Sequence, residues 1–230
     1  CPDCRDTGYI GSEKCHCFQQ HILHVLYGQS NLRELIRVEN FQNFRLDYYS
    51  DRPERNGALS PRENMREILG RCRRFIASFD SHPGGNLLIS GNTGVGKTYL
   101  ANCIAGEILK AGKSVIYMSA HQFFSQLADY TFRRGQENAD TLSFLLHCDL
   151  LIIDDLGTEL NNGFINSQLF LCINERILHR KSTIISTNLS LKQLSQTYTE
   201  RISSRFIESY EYFHIYGEDI RIKKAVSSLD

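Results

Sequence analysis

No apolar run in the 230 residues approaches the roughly 20 needed to cross a bilayer as a helix, so a membrane-spanning segment is excluded. Neither sign of charge is in excess. The 26 basic and 26 acidic residues cancel, so overall charge does not mark a nucleic-acid binder, and any such role must rest on local patches. Nothing at the start reads as a signal peptide. The chain opens on Cys1-Pro2 in place of methionine and is expected to begin inside a longer protein. The hydrophobic share of 41% and charged share of 23% are those of an ordinary soluble protein. The length suits one good-sized domain with a small appendage. Of the eight cysteines, Cys72, Cys103, Cys148 and Cys172 sit in apolar helical or strand-like contexts. They read as small buried residues of a reducing cytosol, and the expected location is cytoplasmic.

What is present begins with a phosphate-binding pattern. The buried-strand signal Asn86-Leu87-Leu88-Ile89-Ser90 runs into Gly91-Asn92-Thr93-Gly94-Val95-Gly96-Lys97-Thr98, and a helical stretch from Tyr99 to Lys110 follows. This is G-x-x-x-x-G-K-[ST] in its required strand–loop–helix context. The glycines let successive N–H groups turn inward as an anion nest, and the helix start adds its free N–H groups and positive dipole end. Lys97 is expected to reach the β- and γ-phosphates and the Thr98 hydroxyl to hold Mg²⁺. The nucleotide-binding stretch is therefore Gly91 to Tyr99, and the chain is expected to bind a nucleoside triphosphate.

A second apolar strand signal, Leu150-Leu151-Ile152-Ile153, ends in Asp154-Asp155-Leu156-Gly157-Thr158-Glu159. A fully buried parallel strand reads this way. Asp154 is placed to hold Mg²⁺, directly or through water, and Asp155 to orient or deprotonate the attacking water. Glu159 stands close enough to assist or substitute. The strand signal Lys181 to Asn188 ends in small polar residues, with the Asn188 amide a candidate for the γ-phosphate or the lytic water, or else a turn or cap residue. Arg201 and Arg205 lie one turn apart on a predicted helix, and Arg221 follows a last strand signal over 212–216.

Ahead of this core stand Cys1-Pro2-Asp3-Cys4 and Cys15-His16-Cys17. Two close pairs across a turn-rich stretch look like the knuckles of a zinc ribbon, a closed structural Zn²⁺ site of Cys1, Cys4, Cys15 and Cys17. The second pair has one intervening residue where two are usual, and His16 and His21 are substitute ligands. The alternatives are disulfides or free thiols. Residues 18–38 carry helical periodicity. Asn40 to Asp51 is aromatic-rich and aperiodic, is expected to wrap onto the core, and offers a ring to border the adenine. Arg62 to Phe79 reads as an amphipathic helix. Between 120 and 149, Phe123, Phe124, Leu127, Tyr130 and Phe132 flank Arg133-Arg134. These aromatics are expected mostly in the core, while the arginines are equally readable as plain surface or as contacts to single-stranded nucleic acid.

The fold expected is α/β: a P-loop core with a mostly parallel sheet flanked by helices, after a small zinc-ribbon-like segment. The order of motifs resembles the AAA+ ATPases. More narrowly, Gly91–Thr98, Ile152–Gly157 with Glu159, Ser186-Thr187-Asn188, Arg201–Phe206 and Arg221 resemble the bacterial DnaC/DnaI helicase-loader family and its IstB-like relatives. The cysteine segment and the Asn40–Asp51 stretch also look like the DnaI-type loaders. This resemblance spans essentially the whole chain. It implies a zinc-binding segment and helical linker over 1–38 and an ATPase domain over 39–230. It implies ATP as cofactor, Asp155 as the catalytic carboxylate, Asn188 as sensor, and Arg221 on the γ-phosphate in cis. Arg205 becomes the finger acting on a neighbouring subunit, with Arg201 its rival. The partners it implies are a hexameric replicative DNA helicase and single-stranded DNA, with ATP-dependent homo-oligomers, no membrane, and turnover weak until assembly. The helicase contact would lie in N-terminal sequence, partly beyond this chain. An IstB-type transposition helper and a non-hydrolysing scaffold remain as alternatives. A nucleotide kinase would need a lid of clustered arginines, and a GTPase an Asn-Lys-x-Asp-like guanine reader, which the sequence lacks.

Overall fold

The computed structural model describes residues 1–11, 13–15, 32–53, 58–132 and 136–227. His16, Cys17, His21, Arg133 and Arg134 lie outside these residues, as does most of the helix expected over 18–38; its end, Leu32–Val38, is helical as α1. At the start, β1 (Tyr9–Ile10) and β2 (Glu13–Lys14) pair as a small antiparallel ribbon.

The main sheet holds β3 (Leu87–Gly91), β4 (Val115–Ser119), β5 (Leu150–Leu156), β6 (Ser182–Thr187) and β7 (Glu211–Ile215), in the order β4-β5-β6-β3-β7. All neighbours are parallel, so both faces need cover. Their sequences accordingly read as near-continuous apolar runs. Side chains alternate between two cores. Leu87, Ile89, Leu150 and Ile152 face one core with α1, α2 (Pro61–Ala77) and α3 (Lys97–Lys110). Leu88, Leu151, Ile153 and Ile185 face the other. That face is covered by α4 (Ala120–Phe132), α5 (Gln136–His147), α6 (Gly163–Leu178), α7 (Leu191–Thr197) and α8 (Glu200–Ser209). The doubly wound core expected from strand–helix alternation is what forms. Among the described residues no helix is long and apolar enough to cross a membrane.

Local signals set the helix ends. Ser60 and Glu63 form a reciprocal capping box in front of Pro61 at the first helical position. Asn162 caps α6 by accepting from the Ile165 N–H. A second capping box, Ser190 with Gln193, starts α7. Phe123, Phe124 and Leu127 are buried as expected, whereas Tyr130 is exposed. Arg176 is fully buried. It donates from Nε to Thr183 Oγ1 at 3.0 Å and from Nη1 to the Leu145 carbonyl at 2.7 Å. This guanidinium fills the orphan acceptors at the end of α5, fastening that helix to α6 and β6.

Candidate nucleotide site

The P-loop leaves β3 and enters α3 at the C-terminal edge of the sheet, where parallel α/β folds place their ligands. Two of its glycines are required by close neighbours. Gly96 has φ 99°, and a Cβ there would lie 2.7 Å from the Tyr49 hydroxyl. Gly94 has φ 80°, and a Cβ there would fall 2.0 Å from the Asp219 carboxyl carbon. Any side chain would meet both a strained backbone and an occupied space.

Lys97 is almost fully buried. Its ammonium donates to the Gly91 and Asn92 carbonyls, each at 2.9 Å, and to Asn188 Oδ1 at 2.6 Å. All three N–H bonds are thus held within the loop and the tip of β6. Burial lowers its pKa, opposed by the nearby Asp155 and Asp154 carboxylates. Asp154 is also buried and is an acceptor hub. Oδ2 takes the Thr98 hydroxyl at 2.9 Å and the Tyr117 hydroxyl, and Oδ1 takes the Ser186 hydroxyl. A register shift between Ile153 and Leu156 separates β5 from regular pairing with β6. Such a break re-aims side chains at a strand end. Asp155 accordingly sits at φ 58°, anchored by its N–H on Ser186 Oγ at 2.9 Å, and its side chain faces the cavity. Burial, followed by the Asp154 charge, raises its pKa above the ordinary carboxylate range. A non-glycine residue held in the left-handed region is a strain expected at functional positions.

Lys97, Thr98 and Asp155 line a cavity of about 500 Å³, together with Asn188 and Arg221, a volume suited to a small-molecule ligand. The same cavity has an aromatic lining of Phe44, Tyr48, Tyr49 and Tyr99. Phe44 lies parallel to Tyr49 with centroids 6.1 Å apart and meets Tyr99 edge-on at 5.5 Å. Tyr49 is buried and donates to the Val95 carbonyl at 2.9 Å, which ties the aromatic stretch directly to the P-loop. The strap expected from residues 40–51 therefore does wrap the core, with rings beside the phosphate cradle.

Two predicted site residues stand elsewhere. Glu159 accepts from the Gly157 N–H at 2.9 Å and from the Tyr198 hydroxyl, so its carboxylate buttresses the loop after β5 and does not line the cavity. Arg205 is on α8, away from the cavity, with Nη1 3.3 Å from Glu208 and a buried Nε that has no hydrogen-bond partner among the described residues. Arg201 is exposed on the same helix. Arg221 lines the cavity and pairs with Asp219.

The family model for IstB-like ATP binding proteins matches residues 76–228, from the end of α2 through the P-loop, both acidic residues and the late arginines. The chain belongs to that family. The IstB-like chain is 26% identical over 180 residues to the replicative helicase loader DnaC of Escherichia coli K12, covering 78% of this chain and 67% of that one. It superimposes on the crystal structure of the DnaC helicase loader with TM-score 0.62 at 25% identity, covering 76% of this chain and 97% of that one. The DnaI crystal structure shares the fold, with TM-score 0.60 at 23% identity over 82% of this chain and 93% of that one. The AAA+ resemblance read from the motif order stands.

The cysteine segment of this IstB-like chain precedes the matched region. The sulfur atoms of Cys1, Cys4 and Cys15 all lie within 4.8 Å of one another. Cys4 and Cys15 are buried, and the Gly8 N–H points at Cys4 Sγ at 3.4 Å. N–H groups directed at sulfur and a closed set of thiols fit a metal that binds thiolate. Cys17, the expected fourth ligand, lies outside the described residues.

Sequence reading missed Tyr117. It acts through a partner distant in the chain, Asp154, and no local pattern announces it.

Proposed function

We propose that this chain is an ATP-hydrolysing loader that helps place a hexameric replicative DNA helicase on single-stranded DNA. The observation carrying the reading is the convergence of Lys97, Asp155, Asn188 and Arg221 on one cavity with an aromatic wall, in a chain similar to a named replicative helicase loader. The triphosphate takes the P-loop N–H groups, and Lys97 exchanges its Asn188 bond for phosphate oxygens. Thr98 and Asp154 would hold Mg²⁺, which would supply neutralisation of the phosphate charge. Asp155 accepts the proton of the attacking water, and its raised pKa makes it a better base than an ordinary aspartate. Asn188, freed from Lys97, turns to the γ-phosphate or the water. The rings of Phe44, Tyr48 and Tyr49 border the adenine. Arg205, remote from its own cavity, serves a neighbouring subunit's ATP.

The test is steady-state ATP turnover by the chain alone, with single-stranded DNA, and with a replicative hexamer. Turnover should rise at least about tenfold when the partners are added, because a finger supplied in trans contributes only on assembly. Stimulation by DNA but never by the hexamer would favour the IstB-type transposition helper. Phosphate transfer to a metabolite, indifferent to DNA, would refute both.

For the cysteine cluster we propose one structural Zn²⁺ on Cys1, Cys4 and Cys15, with Cys17 as fourth ligand. Metal analysis of freshly purified, reduced protein should find about one zinc per chain, lost in Cys4→Ser. Zinc-free wild type would remove the assignment.

A further inference from the structure

The Asp219 carboxylate occupies an unusual place. It packs against Gly94 of the P-loop, and the neighbouring Ile220 N–H donates to the Gly94 carbonyl at 3.0 Å. The same carboxylate takes the Arg221 guanidinium in a two-point fork, Nε to Oδ1 at 3.2 Å and Nη2 to Oδ2 at 2.9 Å. That pairing lowers the pKa of Asp219, which keeps it charged. Its side chain is about a quarter exposed, at 23%, whereas that of Arg221 is 67% exposed. The anion is therefore the more enclosed partner and the guanidinium the more exposed one. Helix α9 (Ile220–Ser227) continues from this point, and Lys223 on it donates to the Tyr48 carbonyl at 2.9 Å. One short segment thus touches both the phosphate loop and the aromatic wall.

The Nε–Nη2 edge of the guanidinium, the edge that Asp219 holds, grips one anion at a time and matches carboxylate and phosphate oxygens alike. We infer that Asp219 is a built-in competitor for Arg221, an internal anion that a γ-phosphate must displace before the Nε–Nη2 edge of the arginine can grip it. ATP and ADP present the same α- and β-phosphates to the loop, and only ATP presents a group that demands the exchange. Asp219 therefore reduces the preference of the site for ATP over ADP, and it couples arrival of the γ-phosphate to movement of Arg221. It is a positioning residue acting through Arg221, and the inference rests on ATP occupying this cavity.

A simpler role would be to cap α9, since Oδ1 also accepts the Arg221 N–H at 2.9 Å. Asp219→Asn and Asp219→Ser both keep a capping oxygen and remove the charge, so they separate the two roles. Calorimetric titration of the whole chain with ATP and with ADP, in Mg²⁺, reads the effect. Both variants should tighten ATP by about tenfold while ADP changes by less than about twofold, and in an Arg221→Ala background neither should change the ATP-to-ADP ratio. An unchanged or lowered ratio in either variant, with wild type binding ATP, would overturn the competitor role alone. A rise that persists in the Arg221→Ala background would overturn it as well. Wild type that binds neither nucleotide would overturn the site itself, and this inference with it.

Discussion

Lys97→Ala should weaken ATP binding by on the order of a hundredfold and leave no measurable turnover. The three bonds of the ammonium all lie inside the phosphate loop and the β6 tip. Hydrogen bonds from a charged donor are worth about 1.5–3 kcal/mol each, so losing one or two to phosphate costs about 3 kcal/mol, or roughly a hundredfold in the dissociation constant. The fold should survive, because Lys97 belongs to neither apolar core of the sheet. Equilibrium binding of a fluorescent ATP analogue, with circular dichroism as the folding control, checks this. Undiminished binding would place the nucleotide elsewhere.

Asp155→Asn should behave differently, with ATP binding nearly retained and turnover lowered by about 10²–10⁴-fold. The side chain removed is the one assigned to the water, while the Lys97, Thr98 and Asp154 contacts remain. The pH profile supplies a second reading. A group with a raised pKa loses its base form as pH falls through that raised value, so the acid limb of wild-type turnover should lie above the ordinary aspartate value of about 3.9. Burial and the adjacent Asp154 charge are the causes. Equal loss of binding and turnover in this variant would mean that Asp155 holds the nucleotide and does not serve the chemistry.

Much of the core was legible because its signals are local. The P-loop, the apolar runs and the acidic pair each declare themselves within ten residues, and the parallel sheet follows from runs that lack alternation. The site as a whole was less legible, because its pieces meet through strand order. Tyr117 reaches Asp154 only because β4 lies beside β5. Asp219 reaches Gly94 only because the chain returns over the P-loop after β7. Glu159 was placed by its nearness in sequence to Asp155, but its partner Tyr198 comes from across the fold and turns it aside. Helix α7 had a readable signal in Ser190-Leu191-Lys192-Gln193. That capping box introduces only seven residues, too short for periodicity to register. Conversely, the spacing of Cys1, Cys4 and Cys15 was informative, because a short ribbon can fold back only one way and brings the thiols together.

The central claim is that each active site is shared, with Asp155 from one subunit and Arg205 from the next. Mixing two inactive variants tests it most directly. Asp155→Asn and Arg205→Ala are assayed alone and as an equal mixture, with single-stranded DNA and the hexamer present. Each alone should be nearly inert. The mixture should recover about a quarter of wild-type turnover, the share of head-to-tail contacts that pair both intact residues in a random assembly. A mixture no more active than its two components would contradict the shared site.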